Sequence, residues 1–298
     1  MKEEILIRSF NRELCSCLNE YLVKKDADYG YCDIRIPSKG PAFDYIKKKE
    51  EENYKLPLQQ QSLIVSDWKY VRKYKKEEFE SSNIIFQIIP YKRAHTSGEE
   101  HGTEYDYSES CPICHSGRKL IGDFRISRKS VLKSVNLFQT YGGELIADES
   151  LKTACKHYGI NGIEFCNTSI DGYYLISSSN KVNISNSTEF GCSPFNKEDF
   201  SDGVLVKLGG VDNHMKKEIY RCPNGDNLGL NILSEAYIEY DNTLFDFDFI
   251  QSVQYVGVHR GFLYQMPLYF CSQKFRRMVE TEKLKGIKFE VAHVVDEL

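Results

Sequence analysis

Leu145-Ile-Ala-Asp-Glu-Ser-Leu151, continuing to Gly159-Ile-Asn-Gly162-Ile-Glu-Phe165, is echoed by Tyr269-Phe-Cys-Ser-Gln-Lys-Phe275, continuing to Lys283-Leu-Lys-Gly286-Ile-Lys-Phe289. Leu151 and Phe275 stand 124 residues apart, as do Gly162 and Gly286, and Gly-Ile-Glu-Phe matches Gly-Ile-Lys-Phe. Each copy reads as a short strand, a polar cap, an amphipathic helix, a tight glycine turn and a second strand. Two such units are too few for a solenoid and predict two related halves of one α+β architecture. The pattern builds a scaffold and carries no chemistry of its own.

The totals agree with a folded protein. The chain has 298 residues, 41% hydrophobic and 13% aromatic, enough for one large domain or two moderate ones with a substantial core. A net charge of −4 exerts no general pull toward nucleic acid or anionic membrane. The acidic start Met1-Lys-Glu-Glu lacks a following apolar run, so no secretory signal is expected, and no stretch has the length and apolarity of a membrane span. On that basis Val295-Val-Asp-Glu-Leu298 is not read as a retention address, and the expected location is the cytoplasm. Cys15 and Cys17 in a helical pattern, Cys155 in the first echo helix, and Cys166 and Cys271 at strand ends fit small buried hydrophobes in a reducing compartment better than disulfides.

Outward from the echoes, Phe10, Leu14, Cys17, Leu18, Tyr21 and Leu22 form a helical stripe with Ser9 placed to cap it. Asp26 to Pro41 is turn-rich, Lys47 to Asn53 is a charged helical or solvated stretch, and Asn83 to Ile89 is a buried strand ending at Pro90. Arg93 to Ser110 is polar and acidic. Further strands are expected at Tyr173–Ser177, at Gly203–Leu208, in the aromatic-rich Tyr237–Phe249 and at Gln254–Gly261. The expected organisation is an N-terminal helix-plus-strand region over 1–92, a polar loop or linker over 93–110, a first Cys-x-x-Cys half over 111–221 and a second related half over 222–298. The fold class is α+β, mixed and mostly antiparallel, with a few helices.

Cys111-Pro-Ile-Cys114-His115 is the one motif with intrinsic chemical meaning. Its two thiols offer half of a tetrahedral zinc shell, but the other half is not a second Cys-x-x-Cys: Cys222-Pro-Asn-Gly225 holds one cysteine. Cys192, His115, His214 or Asp226 are candidates to complete it, and no spacing singles one out. A dithiol redox centre, haem attachment and two structural thiols in a turn stay open as other readings. Lys69-Tyr-Val-Arg-Lys-Tyr-Lys-Lys76 mixes cations with tyrosines as single-stranded nucleic-acid sites do, but Glu77, Glu78 and Glu80 follow, and a solvated helix face is the plainer reading. Asp246 and Asp248 alternate with Phe245, Phe247 and Phe249 as outward positions of a half-buried strand. His259, between Gly257 and Gly261, is expected in a turn with a structural or exposed role. Phosphate-loop, nucleophile-elbow, dinucleotide and His-x-x-x-His motifs are absent from the sequence.

Cys111-Pro-Ile-Cys114 with Ser116-Gly117, Gly162-Ile-Glu-Phe165, the Cys-Pro at Cys222 and the closing echo together resemble the double-CxxCG immunity proteins of bacterial polymorphic toxin systems. The resemblance covers roughly Cys111 to Val295. It implies a cytoplasmic, non-enzymatic protein that binds and occludes a cognate protein toxin, with no membrane or nucleic-acid partner. Structural zinc would join the halves, with Cys111, Cys114 and Cys222 as ligands. Two departures stand out: His115 replaces the glycine after Cys114, and Gly225 replaces the second cysteine of the second motif. Glu99 to Glu109, acidic and tyrosine-rich, suits either a disordered loop or a segment entering a basic toxin cleft. The alternatives to immunity are a thiol- or zinc-dependent enzyme centred on the Cys-x-x-Cys and a zinc-stabilised nucleic-acid binder.

Overall fold

The computed structural model describes the chain except for residues 82–84, 113–114, 192, 196–203, 209–210, 216–224, 229–230, 242–243, 258–265 and 296–298. It is an α+β protein of two compact units, one formed by Met1–Ser81 with Gly191–Asp199, the other by Ser82–Phe190 with Phe200–Leu298. The division does not follow the boundaries expected at 92, 110 and 221. In particular, 93–110 lies inside the second unit and is no linker between units. Among the described residues no helix is long and apolar enough to cross a membrane.

The first unit runs β1 (Lys2–Ser9), α1 (Arg12–Cys17), β2 (Leu22–Asp26), β3 (Tyr31–Pro37), α2 (Pro41–Tyr54), β4 (Asp67–Lys73) and α3 (Lys76–Ser81). Its sheet has the order β2-β3-β1-β4, antiparallel throughout, the ferredoxin-like split βαβ arrangement. Ile7 of β1 is registered between Ile34 and Trp68, and Ile5 between Ile36 and Tyr70, so one sheet face is apolar. Leu14, Ala42 and Ile46 complete that core.

Several expectations are corrected here. The helical stripe from Phe10 breaks at Leu18, and Asn11, not Ser9, caps α1 by accepting from the Leu14 N–H. The Ser9 hydroxyl instead donates to the Ile64 carbonyl. The turn-rich stretch contains the central strand β3, and the basic stretch at Lys69 is the edge strand β4 rather than a helix. Cys15 and Cys32 form a disulfide between α1 and β3, with Cα atoms 6.0 Å apart. The pairing overturns the expectation of thiols alone. The fold brings a helix and a strand of distant sequence to bonding distance, which spacing along the chain does not reveal.

The second unit contains β5 (Ile85–Pro90), β6 (Glu104–Asp106), β7 (Lys119–Ile121), β8 (Leu137–Gln139), β9 (Leu145–Asp148), α4 (Glu149–His157), β10 (Glu164–Asn167), β11 (Tyr173–Ser177) and β12 (Lys181–Val182). After β13 (Phe190–Gly191), at the unit boundary, come β14 (Val204–Leu208), β15 (Val211–Met215), β16 (Asn227–Leu228), β17 (Asn231–Ile232), β18 (Ala236–Glu239), β19 (Phe249–Gly257), β20 (Met266–Cys271), α5 (Gln273–Thr281) and β21 (Ile287–Val295). Two sheets carry the echoes. One has the order β8-β9-β11-β10; the other contains β19-β20-β5-β21 within seven strands. In both, the strands flanking the helix are separated by one antiparallel strand. The inserted strand differs in origin: β11 follows β10 directly, whereas β5 arrives from far upstream. The second half therefore needs residues that the sequence places in the N-terminal region.

The echo is exact in its local chemistry. Asp148 and Ser272 cap α4 and α5 by accepting from the Leu151 and Phe275 N–H groups. Each helix closes with a bond five residues back, Ile160 N–H to the Cys155 carbonyl at 2.9 Å and Leu284 N–H to the Val279 carbonyl at 3.0 Å. Gly159 and Lys283 hold the intervening left-handed position, at φ 60° and 53°. The two repeats then lock reciprocally. Asn136 and Leu137 N–H donate to the Lys285 carbonyl, while Asp248 and Phe249 N–H donate to that of Asn161, the matching position of the other copy. The side chains of Asn136 and Asp248 return the favour, accepting from the Lys285 and Asn161 N–H groups at 2.7 and 3.2 Å.

Asp248 is thus buried and wired, also accepting from Ser272 Oγ at 2.6 Å and Lys274 Nζ at 3.0 Å, and is not an outward strand position. Asp246 belongs to a 3-10 turn.

Candidate functional site

Cys111 is 2% exposed and opens a tight turn. Its N–H donates to the Ser116 carbonyl at 2.9 Å, and its carbonyl accepts from His115 N–H at 2.8 Å. His115 adopts φ 57°, so the histidine takes the left-handed conformation that glycine usually supplies, and the turn closes despite the substitution. Its ring meets the Tyr107 ring edge-on at 5.1 Å.

The turn is joined to the second motif. The Ser116 hydroxyl donates to the carboxylate of Asp226, which is 1% exposed, and the other Asp226 oxygen accepts from the Tyr255 N–H at 2.7 Å. Two segments 110 residues apart thereby share one buried polar junction. Gly225 sits at φ 80°, a conformation a cysteine adopts only with strain. That gives a physical reason for glycine where a matching knuckle would have its second thiol.

Of the residues expected to ligate zinc, Cys111 is placed at this junction, while Cys114 and Cys222 lie outside the described residues. Cys192 and His259 also lie outside them, and β15 carries His214. Asp226 is brought to the turn; His115 belongs to it. Among the described residues no group of three or more His, Cys, Asp or Glu side chains is arranged to hold a metal.

The acidic segment before the turn is ordered, contrary to the disordered reading. Tyr105 on β6 is paired through β7, its hydroxyl donates to Glu144 at 3.1 Å, and the Arg118 guanidinium lies 4.0 Å over its ring. Arg118 also reaches Glu99 at 2.6 Å and Glu144 at 3.4 Å, and Tyr107 donates to Glu99 at 2.7 Å. Burial, then the Glu144 charge, push the Tyr105 phenol well above its ordinary range. Burial disfavours the Arg118 charge, but Tyr105, Glu99 and Glu144 outweigh it and raise its pKa. Sequence reasoning missed this network; the alternation Tyr105-Asp-Tyr107 opposite Lys119 was its only trace.

The remaining buried thiols are poor nucleophiles. Burial, with Asp248 nearby, pushes Cys155 up to about 12, and burial raises Cys271 well above the usual thiol range. Compared with known proteins, the chain matches no protein-family model and no curated protein.

Proposed function

We propose that this chain is an immunity-type binding protein that occludes a cognate protein toxin in the bacterial cytoplasm. The observation that supports the reading is the Ser116–Asp226–Tyr255 junction, which joins the turn after Cys111 to Asp226, next to Gly225 of the second motif. In this reading Cys111, Cys114 and Cys222 would hold a zinc ion that stiffens the junction, its contribution being to folding rather than to turnover. No catalytic role is assigned to these residues.

The test pairs the purified chain with the toxin domain encoded beside its gene. Calorimetry should give a one-to-one complex, and co-expression should restore growth to cells making that domain. Absence of both would remove the proposal. Native mass spectrometry should find one zinc per chain, lost in Cys111→Ser together with thermal stability; a metal-free, equally stable variant pair would remove the zinc component alone.

A further inference from the structure

One covalent bond holds a stretch of the first unit that its core barely touches. Cys15 of α1 and Cys32 of β3 are joined across a sequence separation of 17, and β2 lies wholly inside the loop so closed. Leu18 and Cys32 are buried, but no residue from Asn19 to Tyr31 is. Tyr21 and Leu22 pack half-buried against the core, Val23 is 54% exposed, and Lys24 and Lys25 are exposed. β2 is moreover an edge strand, paired with β3 alone, and its register slips between Leu22 and Lys24.

The side-chain bonds within this stretch are local and exposed. Lys24 Nζ donates to Asp26 at 2.9 Å and to Tyr31 Oη at 2.8 Å, and the Tyr29 N–H donates to Asp26 at 3.2 Å. Bonds of that kind contribute little to stability. The rest of the sheet is held differently: β1 and β3 bury Ile5, Ile7, Ile34 and Ile36, and Leu14 and Leu18 anchor the α1 end of the loop. The β2 segment therefore depends on its ladder with β3 and on the cross-link, which removes chain entropy from any state in which β2 has come away.

We propose that the Cys15–Cys32 pair is a thiol–disulfide switch that holds the β2 segment on β3 when oxidised and releases it when reduced. The reductant is a low-molecular-weight thiol of the glutathione class. Cys32 is fully buried and Cys15 half-buried, so the incoming thiolate attacks Cys15 Sγ. The Sγ–Sγ bond breaks, a mixed disulfide forms on Cys15, and Cys32 leaves as a thiolate and takes a proton. A second thiolate attacks the outer sulfur of the mixed disulfide, and Cys15 leaves and is protonated in turn. Two small thiols are thereby oxidised to one disulfide and the protein pair is reduced to two thiols; the small disulfide drives the reverse. In the reduced state Leu14 and Leu18 keep α1 docked, while residues 19–31 lose their tether. The inference is independent of the immunity reading and of zinc.

The test holds the full chain in glutathione buffers running from reduced to oxidised and traps free thiols with iodoacetamide. Mass spectrometry reads the Cys15 and Cys32 peptides, and hydrogen exchange is followed at each poise. The two cysteines should change state together in one reversible transition. Across it the amides of Leu22–Asp26 should exchange about tenfold or more faster in the reduced form, while those of β1 keep their rates. Cys15→Ser should show the reduced rate at every poise, and Cys17→Ser, which removes the neighbouring exposed thiol, should follow the parent chain. Free thiols at every poise, or a disulfide that resists reduced glutathione, would overturn the proposal. Exchange unchanged across the transition would also overturn it, as would exchange accelerated throughout the first unit, the mark of a staple for the whole sheet. Each of these readings is made on the parent chain and holds even if Cys15→Ser does not fold.

Discussion

The two repeats of the second unit share a frame and differ in what crosses it. Both cap their helices with a short polar side chain, end them in a left-handed residue, and press a glycine onto the backbone of the other copy. Gly286 lies against the Leu137 carbonyl and Gly162 against that of Phe249. One repeat then bridges the joint with Lys274 and a buried aspartate; the other leaves it to Asn136. The contrast teaches that the frame is held by backbone contacts, which leaves side chains at the joint free to diverge.

Breaking the frame should have the largest effect. A β-carbon at Gly286 would fall 1.8 Å from the Leu137 carbonyl oxygen, and one at Gly162 2.3 Å from that of Phe249, both at positive φ. Gly286→Ala should cost about 4 kcal/mol or more and Gly162→Ala about 3 kcal/mol in urea unfolding, with that order preserved.

A buried carboxylate in the first unit gauges what Lys274 does for Asp248. Glu50 on α2 accepts the Val65 N–H at 3.1 Å, and burial raises its pKa from 4.5 to about 7, the backbone bond opposing. Because the folded-state pKa is the higher, the folded state holds the proton more tightly. Stability therefore falls as pH rises from about 4.5 to about 7, by roughly 3 kcal/mol. Glu50→Gln should flatten that slope in pH-dependent unfolding of the first unit.

Asp248→Asn should cost about 2 kcal/mol, by removing the charge that Lys274 meets at 3.0 Å. Asn136→Ala should cost less, about 1 kcal/mol, because its half-buried amide serves no cation. A double-mutant cycle of Asp248→Asn with Lys274→Met would show coupling that Asn136 with Ser150 lacks. The smallest effect tests the helix ends. Lys283→Gly should stabilise by about 1 kcal/mol and Gly159→Ala destabilise by about the same, since both positions are left-handed and only one has the residue suited to it.

How much of this was legible follows from the range of each interaction. The strand, cap, helix and glycine turn of each repeat are local, so Asp148, Ser272, Gly162 and Gly286 announce them in the sequence. The pattern Tyr31-Cys-Asp-Ile-Arg-Ile36 also alternates as a strand should, but Gly30, Pro37, Gly40 and Pro41 frame it, and turn chemistry dominates the reading. At Lys69–Lys76 the spacing of charges fits a helix face equally well, and only registry with Ile5 and Ile7 settles an edge strand. Of the candidate site, Cys111 and the Ser116-Gly117 turn were visible, and Asp226 was one possible partner among several.

The amino-acid sequence by itself determined the α+β class, the duplicated strand–helix–strand unit and the residues that cap and close it, because these depend on neighbours within a turn or two. Tertiary structure alone decided that β5 enters the second repeat, that Cys15 meets Cys32, that Asp226 is bonded to the turn after Cys111, and that Lys274 reaches the Gly159 carbonyl of the other repeat. Each of these depends on atoms that are remote along the chain and adjacent in space, and periodicity carries no information about which remote segment arrives.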